Sequence, residues 1–210
     1  MKKNLIYLAA FALTMSFAAC GGQKKQEAAA PAAAAEAPAV PAYKIVENPQ
    51  VDLSKFKKDA EGYVVLFDGT SLDGWRGYGK DKVPARWTIE DGCLKFSGTG
   101  AGEGQTGEGG DIMFAHKFKN FELELEWKIS KGGNSGIFFL AQEVKNDKGG
   151  YEPIYVSAPE CQVLDNENHP DAKLGKDGNR MSSSLYDMIP AKPQNAKPAG
   201  EWNKVKIMCY

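Results

Sequence analysis

Apolar and polar residues alternate along most of the chain after residue 60. The clearest case is the stretch from Phe121 to Ile129, where Phe, Leu, Trp and Ile occupy every second position and Glu and Lys occupy the others. A period of two places the two sets on opposite faces, so the stretch predicts a strand with an apolar and a charged face. Similar patterns predict strands at 62–67, 86–90, 92–97, 111–118, 137–144, 161–165 and 202–210.

Turn residues separate these strands. Glu90-Asp91-Gly92 and Lys131-Gly132-Gly133-Asn134 are typical of turns between antiparallel strands. A short helix near Leu53 to Asp59 is predicted before them. Many short strands without a strand–helix rhythm predict an all-β fold, a two-sheet antiparallel β-sandwich or jelly roll. The chain ends inside a predicted strand, so we expect further strands beyond Tyr210 to pair the sheet edges.

The first 42 residues predict export and not a folded domain. Residues 1–19 resemble a signal peptide, with a basic start and an apolar run too short to span a bilayer. The run ends in Ala18-Ala19-Cys20, which is typical of a lipoprotein cleavage box, so Cys20 is the predicted lipid anchor. Residues 20–42 form an Ala/Pro-rich linker, and residues 43–210 form the β-sandwich domain. We therefore expect a membrane-anchored envelope lipoprotein, on the outer membrane and facing the periplasm or the cell surface.

The net charge and the cysteine content limit the binding partners and disulfides that the sequence predicts. The net charge is −1, from 26 basic and 27 acidic residues, and this balance argues against nucleic acid. The lipid anchor is then the only predicted membrane contact. Cys93, Cys161 and Cys209 show no CxxC spacing; buried free thiols are favoured, although an exported protein can form one pair. A GxGxxG pattern at residues 102–107 leads into a strand and not a helix, so we interpret it as a mobile loop and not a nucleotide site.

Polar clusters supply the candidate chemistry. Glu160 and Gln162 should share one face of a strand, with Val163 facing the core, so we expect both on an exposed concave surface. Asp165 and His169 follow in the loop, where a carboxylate and an imidazole can act as bases or bind a metal. A solvated loop histidine is the alternative reading of His169.

Three other side chains can be interpreted either as structural or as functional groups. Asn134, within Gly133-Asn134-Ser135-Gly136, is either a hairpin residue or a polar group aimed by its flanking glycines. Tyr186 is either a ring with a solvated hydroxyl or a donor to a developing oxyanion. Glu126 ends a Glu122-Leu-Glu-Leu-Glu126 strand that loosely resembles the catalytic strand of laminarinase-type glycosidases; a solvated face is the alternative.

Seven short motifs, in order over about residues 62–207, resemble the 3-keto-disaccharide hydrolase family. The motifs are Leu66-Phe67-Asp68-Gly69-Thr70-Ser71-Leu72-Asp73-Gly74-Trp75, Trp87-Thr88-Ile89-Glu90-Asp91-Gly92, Asn120-Phe121-Glu122-Leu123, Gly133-Asn134-Ser135-Gly136-Ile137, Glu160-Cys161-Gln162-Val163-Leu164-Asp165, Ser184-Leu185-Tyr186-Asp187 and Gly200-Glu201-Trp202-Asn203. The resemblance implies a concanavalin A-like sandwich that opens glycosides carrying a 3-keto group. The family commonly has Arg where Leu140 stands, and it continues into a strand pair with an Asn-Gly turn.

The resemblance also suggests roles for the candidate residues. Glu160 is the predicted base, assisted by His169 and Tyr186 as catalytic groups. A divalent metal cation is a candidate cofactor, with Asp165 and His169 as candidate ligands. Predicted carbohydrate-binding residues are Asn134, Gln162, Asp165, Trp75 and Glu126, with Tyr78 as an alternative to Trp75 for stacking. The alternatives to an enzyme are a non-catalytic carbohydrate-binding module of the same fold and a solely structural lipoprotein.

Overall fold

The computed structural model of the protein describes residues 43–98 and 109–210. The predicted leader, Cys20, the linker up to residue 42 and the glycine pattern at 102–107 lie outside the described residues. Within the described ranges, no helix combines the length and the apolar character needed to cross a membrane.

The described residues form short β-strands joined by turns and single-turn helices. The strands are β1 (Lys44–Ile45), β2 (Trp75–Gly77), β3 (Trp87–Glu90), β4 (Cys93–Phe96), β5 (Ile112–Phe114), β6 (Phe121–Trp127), β7 (Asn134–Phe138), β8 (Val144–Lys145), β9 (Glu160–Leu164) and β10 (Asn203–Cys209). The 3-10 helices are Leu53–Lys55, Ile154–Val156 and Pro170–Lys173.

Each strand pairs antiparallel with one partner strand, giving the ladders β1–β8, β2–β5, β3–β4, β6–β10 and β7–β9. The predicted class, an all-β antiparallel β-sandwich, is confirmed. The predicted strand at 62–67 is wrong in detail, because only Val64 forms a bridge, with Lys58. Asp59 explains this difference: its carboxylate accepts the backbone N–H groups of Glu61 and Tyr63 and folds that stretch into a turn.

The β6–β10 ladder keeps the predicted two faces. Trp127 is 9% exposed, and the other apolar residues of β6 are half-buried beside apolar partners of β10. On the opposite face Glu122 accepts hydrogen bonds from Tyr63 and Tyr210 and pairs with Lys206 at 2.6 Å. The bond from Lys206, followed by those from the tyrosines, lowers the pKa of Glu122 to about 2. A solvated ion-pair network therefore covers this face.

A buried ion pair between Arg76 and Glu143 holds residues 44–48 against the rest of the domain. Glu143 is 6% exposed and accepts two N–H groups of Arg76, at 2.6 and 2.5 Å, together with the Asn48 amide at 2.7 Å. Burial of the Glu143 carboxyl raises its pKa, but the hydrogen bonds from Arg76, Asn48 and the Gly79 N–H outweigh burial and lower it. The pair thus joins β2, the turn before β8 and the segment after β1.

β9 is covered along both edges. β7 pairs with one edge, from Asn134 opposite Leu164 to Phe138 opposite Glu160. On the other edge Leu185 forms a bridge with Cys161. The fully buried Ser182 hydroxyl accepts the Leu164 N–H and donates to the Leu164 carbonyl, both at 2.7 Å. A side chain therefore extends the pairing of β9 where a neighbouring strand is missing.

Candidate active site

Glu160 and Tyr186 stand side by side on one face of the β9 region. Leu185 bridges Cys161 antiparallel, and the Tyr186 N–H donates to the Glu160 carbonyl at 2.9 Å, so these two residues are directly opposite one another. Opposite residues in antiparallel strands project to the same face, with Cβ atoms about 5 Å apart. Phe138 lies opposite Glu160 on β7. We call Phe138, Glu160 and Tyr186 the Glu160 row.

Gly136 makes room for the Glu160 carboxyl. A Cβ atom built on Gly136 would lie 1.8 Å from Glu160 Oε1 and 2.5 Å from its Cδ. The carboxyl group therefore rests directly on the Gly136 backbone, in space that no larger residue leaves open. Burial, followed by the charge of Glu160, raises the pKa of the neighbouring Cys161 thiol.

The Tyr186 hydroxyl is held by a charged cluster. It donates to Asp171 Oδ2 at 2.9 Å, and Asp171 Oδ1 accepts from Arg180 Nη1 at 3.1 Å. Arg180 binds the Asp187 carboxylate through Nε at 3.0 Å and Nη2 at 2.8 Å, and its guanidinium lies 5.3 Å from the Tyr186 ring centroid. Burial and the bond to Asp171 raise the pKa of Tyr186 to about 12. We call Asp171, Arg180, Tyr186 and Asp187 the Arg180 cluster.

His169 joins this cluster through the backbone. It caps the 3-10 helix Pro170–Lys173, and its Nδ1 accepts the Asp171 N–H at 3.2 Å. A neutral imidazole that accepts at Nδ1 carries its proton on Nε2, so His169 can donate from Nε2. Asp171 therefore links Tyr186 to His169, and Tyr186 lies opposite Glu160, so the structure brings the three predicted catalytic residues into one region.

Asp171, Arg180 and Asp187 are site residues that the sequence analysis missed. They come from a non-periodic segment and are assembled by tight turns: Asp177, Ser183 and Asp187 all have left-handed φ angles, between 56° and 66°. The available signal was the density of Asp, Asn and Gly between residues 165 and 187, which is typical of such turns.

Gln162 does not lie on an open surface, contrary to prediction. Its face is the one that carries Glu160, as expected, but Gln162 is 1% exposed. Its Oε1 accepts the Val163 N–H at 3.0 Å, and Ser184, fully buried, lies opposite it in the neighbouring segment. Coverage of β9 on both edges and faces buries this position. Gln162 therefore lies inside the domain, on the same face of β9 as Glu160.

Asp165 does not fit a metal ligand. It is 2% exposed, and its carboxylate accepts four hydrogen bonds, from Gly132 N–H at 2.7 Å, Asn168 Nδ2 at 2.8 Å, and the Glu167 and Asn168 N–H groups at 3.1 and 3.3 Å. These occupy about four lone-pair directions, the full capacity of a carboxylate. The bond from Gly132 leads in lowering the pKa of Asp165. His169 uses Nδ1 internally, so the predicted Asp165–His169 cation pair is not supported; nor do the described residues hold a cluster of three metal-binding side chains.

The remaining predicted contacts lie elsewhere. Asn134 is exposed but four residues along β7 from Phe138, about 13 Å from the Glu160 row. Trp75 donates its indole N–H to the Leu66 carbonyl at 2.7 Å and packs edge-on against Phe114. Tyr78 uses its hydroxyl on the Gln142 carbonyl and the Val144 N–H. Glu126 is exposed opposite Lys204 on the β6–β10 ladder. The contacts of Trp75 and Tyr78 are thus with strands and loops other than β9.

A surface cavity of about 540 Å³ lies between the helix Leu53–Lys55 and the loop around residues 65–73. Its carboxylates Asp52 and Asp68 accept backbone N–H groups of their own turns, from Ser54 and Thr70. None of the predicted catalytic residues lines it. The Glu160 row and the Arg180 cluster together are therefore the candidate active site.

Comparison with known proteins shows which family the chain resembles. The sequence model of the 3-keto-alpha-glucoside-1,2-lyase-like domain matches residues 62–210. A curated 3-keto-disaccharide hydrolase from Bacteroides thetaiotaomicron is 61% identical over 214 residues, covering 100% of this chain and 74% of that protein. A crystal structure of a "putative glycosyl hydrolase" from Parabacteroides distasonis has a TM-score of 0.56 at 26% identity, covering 71% of this chain. The chain spans 64% of the length of that structure.

The family match and the 61% identical relative indicate a hydrolase of the glycoside-cleaving class. The family match extends over more than half of the sequence and includes both the Glu160 row and the Arg180 cluster. The chain belongs to the 3-keto-alpha-glucoside-1,2-lyase-like family.

Proposed function

We propose that the domain cleaves 3-keto-glycosides by base-assisted elimination followed by hydration, which together amount to hydrolysis. The observation that carries the proposal is the Glu160 carboxylate, seated on Gly136 and beside Tyr186. The name of the B. thetaiotaomicron relative, a 3-keto-disaccharide hydrolase, supports this substrate class. The 1,2-lyase in the family description supports an elimination across C1 and C2.

The first step requires a base near C2 of the sugar. A ketone at C3 acidifies the hydrogen on C2, because the electron pair left by that proton can be delocalised onto the carbonyl oxygen. Glu160 takes the proton, a double bond forms between C2 and C3, and the C3 oxygen becomes an enolate. A positioned carboxylate contributes about 10²- to 10⁴-fold to such a transfer.

The second step requires an acid near the leaving oxygen. The enolate electrons return, the C3 carbonyl re-forms, a double bond forms between C1 and C2, and the bond from C1 to the glycosidic oxygen breaks. The carboxylic acid form of Glu160 gives that oxygen its proton, and we assign to His169 Nε2, which carries the ring proton because Nδ1 accepts the Asp171 N–H, a hydrogen bond donated to the leaving oxygen. Tyr186 is less suited to this role, since its hydroxyl proton is engaged by Asp171 and its pKa is raised to about 12.

Hydration completes the reaction. Water adds its oxygen to C1 of the unsaturated ketone and gives a proton to the Glu160 carboxylate, which passes that proton to C2. Glu160 thereby returns to its carboxylate form, and His169 keeps its Nε2 proton throughout. Net consumption is one water per glycosidic bond.

We also propose that the protein works while anchored to the cell envelope. The lipobox-like end of the leader at Cys20 supports the anchor, and the Ala/Pro-rich composition of residues 20–42 supports a spacer between lipid and domain. A soluble carbohydrate in the periplasm or outside the cell would then be the partner of the site.

The test is turnover of a 3-keto-glycoside by the purified chain and by Glu160→Gln, with and without EDTA. Glu160→Gln keeps the shape of the side chain and removes the base, so turnover should fall by about 10²-fold or more, with little change in melting temperature. Glu201→Gln, at an exposed position, is the matched control and should behave as wild type. Unchanged turnover in Glu160→Gln would remove Glu160 from the reaction, and sugar binding without turnover in the wild type would favour a carbohydrate-binding module.

A further inference from the structure

Arg180 is fixed in one orientation by two carboxylates. Asp187 accepts from Nε and Nη2, at 3.0 and 2.8 Å, and Asp171 accepts from Nη1 at 3.1 Å. Asp171 is 9% exposed, whereas the side chain of Asp187 is 46% exposed. A guanidinium held at both ends keeps its remaining N–H groups pointing in fixed directions.

Two of these N–H groups are available to a ligand. A guanidinium carries five N–H donors, and the contacts among the described residues use three of them. The Arg180 side chain is 26% exposed, so part of it borders solvent. Tyr186, in contrast, has a single O–H donor, and it is directed to Asp171.

Arg180 is also close to the predicted base. Its guanidinium lies 5.3 Å from the centroid of the Tyr186 ring, and Tyr186 is directly opposite Glu160. In a sugar ring whose C2 hydrogen faces Glu160, the C3 oxygen is two bonds from C2, so a donor for that oxygen must lie beside the base.

We propose that Arg180 is a catalytic residue that binds the C3 carbonyl oxygen and stabilises the enolate formed there. This inference rests on the proposed 3-keto-glycoside reaction. When Glu160 takes the C2 proton, the carbonyl electron pair moves onto the C3 oxygen, and Arg180 donates two hydrogen bonds to that oxygen without losing a proton. The bonds strengthen as negative charge develops, and they need no reorganisation because Asp171 and Asp187 already hold the guanidinium.

The assignment gives Tyr186 and Asp171 a positioning role. Tyr186 supplies the ring face that the guanidinium covers, and the Tyr186 hydroxyl fixes the Asp171 carboxylate that orients Arg180. Removing the hydroxyl in Tyr186→Phe should therefore lower turnover less than removing the guanidinium does.

The experiment measures proton abstraction and cleavage separately. Exchange of the C2 hydrogen of a 3-keto-glycoside into D₂O is followed by NMR, and release of the leaving group is followed in parallel, for wild type, Arg180→Lys and Arg180→Ala. Both rates should fall by about 10²- to 10³-fold in Arg180→Ala, the range for loss of an oxyanion donor. Guanidinium ion added to Arg180→Ala should restore part of both rates, whereas ammonium ion should not. Arg180→Lys should remain slow, since an ammonium group cannot reproduce the planar fork.

The control variant and the contrary outcomes distinguish a failure of the Arg180 inference from a failure of the proposed function. Lys173→Gln removes an exposed positive charge from the same segment and should retain wild-type rates. An active wild type whose Arg180→Lys and Arg180→Ala variants stay within about threefold of it would overturn the inference and leave the proposed function standing. Loss of activity in Arg180→Ala that guanidinium does not restore would also overturn it, by showing a purely structural role. A wild type that neither exchanges nor cleaves would overturn the proposed function itself.

Discussion

Replacing Gly136 by Ala should disable the site while leaving the fold intact. The new Cβ atom would lie 1.8 Å from Glu160 Oε1, and an ordinary contact begins at 3.4 Å. The carboxyl group must therefore move by about 1.6 Å. Because misplacing a reacting group by about 1 Å costs on the order of 10²-fold in rate, we expect turnover of a 3-keto-glycoside to fall by about that factor or more.

Stability should change little in the same variant. The clash extends to Glu160 Cδ at 2.5 Å and Cγ at 2.6 Å, so the whole flexible side chain must rotate away, while Ala is preferred to Gly in a strand interior by about 0.5–1 kcal/mol. The melting temperature should stay the same or rise slightly. Initial rates of leaving-group release, measured beside thermal melting curves, separate these two effects.

A matched control and a double variant test the mechanism of the loss. Gly150→Ala adds a methyl group whose nearest neighbour, the Asn146 side chain, is 3.6 Å away, so it should be neutral for both rate and stability. In a Glu160→Gln background, Gly136→Ala should cause no further loss, because the group that it displaces has already been disabled. An equal loss in both backgrounds, or wild-type activity in Gly136→Ala alone, would refute the reasoning.

Three other predictions concern stability and location. Glu143→Ala leaves Arg76 buried without its acceptor and should lower the free energy of unfolding by about 3–5 kcal/mol in urea titrations; a loss below about 1 kcal/mol would contradict the pairing. The pKa of Asp165 is lowered in the folded state, so its contribution to stability is present above about pH 4 and is lost as the pH falls. Asp165→Asn should therefore melt earlier than wild type at pH 7 and show a flatter decline on acidification. Cys20→Ser should move the protein from the membrane to the soluble fraction, and retention after a salt wash would exclude the lipid anchor.

The stretches in which apolar and polar residues alternate gave the most accurate predictions of the fold. In β6 the apolar and charged positions lie on the faces that the pattern assigned to them, and Trp127 enters the core. The same reasoning put Glu160 and Gln162 on one face of β9, which is correct, but it could not show that this face is covered at Gln162. Burial of Gln162 depends on the neighbouring segment at Ser184, and a period of two along one strand does not show which segments pack against that strand.

The site was predictable only in part, because its geometry comes from turns. Glu160 and Tyr186 could be singled out as chemically suitable groups, but their pairing follows from the Cys161–Leu185 bridge. Arg180 reaches Asp171 across nine residues without any periodic pattern. Asp165 shows the opposite case: its chemistry suited a metal ligand, while four hydrogen bonds from its own loop use the carboxylate completely.

The buried Glu143–Arg76 pair has a mechanical consequence. In a domain anchored by its amino-terminal end, a pulling force acts first on β1. This two-residue strand has few hydrogen bonds to β8, and these would break one after another. Just behind it, Asn48 and the Val46 N–H are bound to Glu143, which Arg76 holds from inside the domain. In the anchored protein that we propose, a load along the tether therefore meets several bonds that must break together.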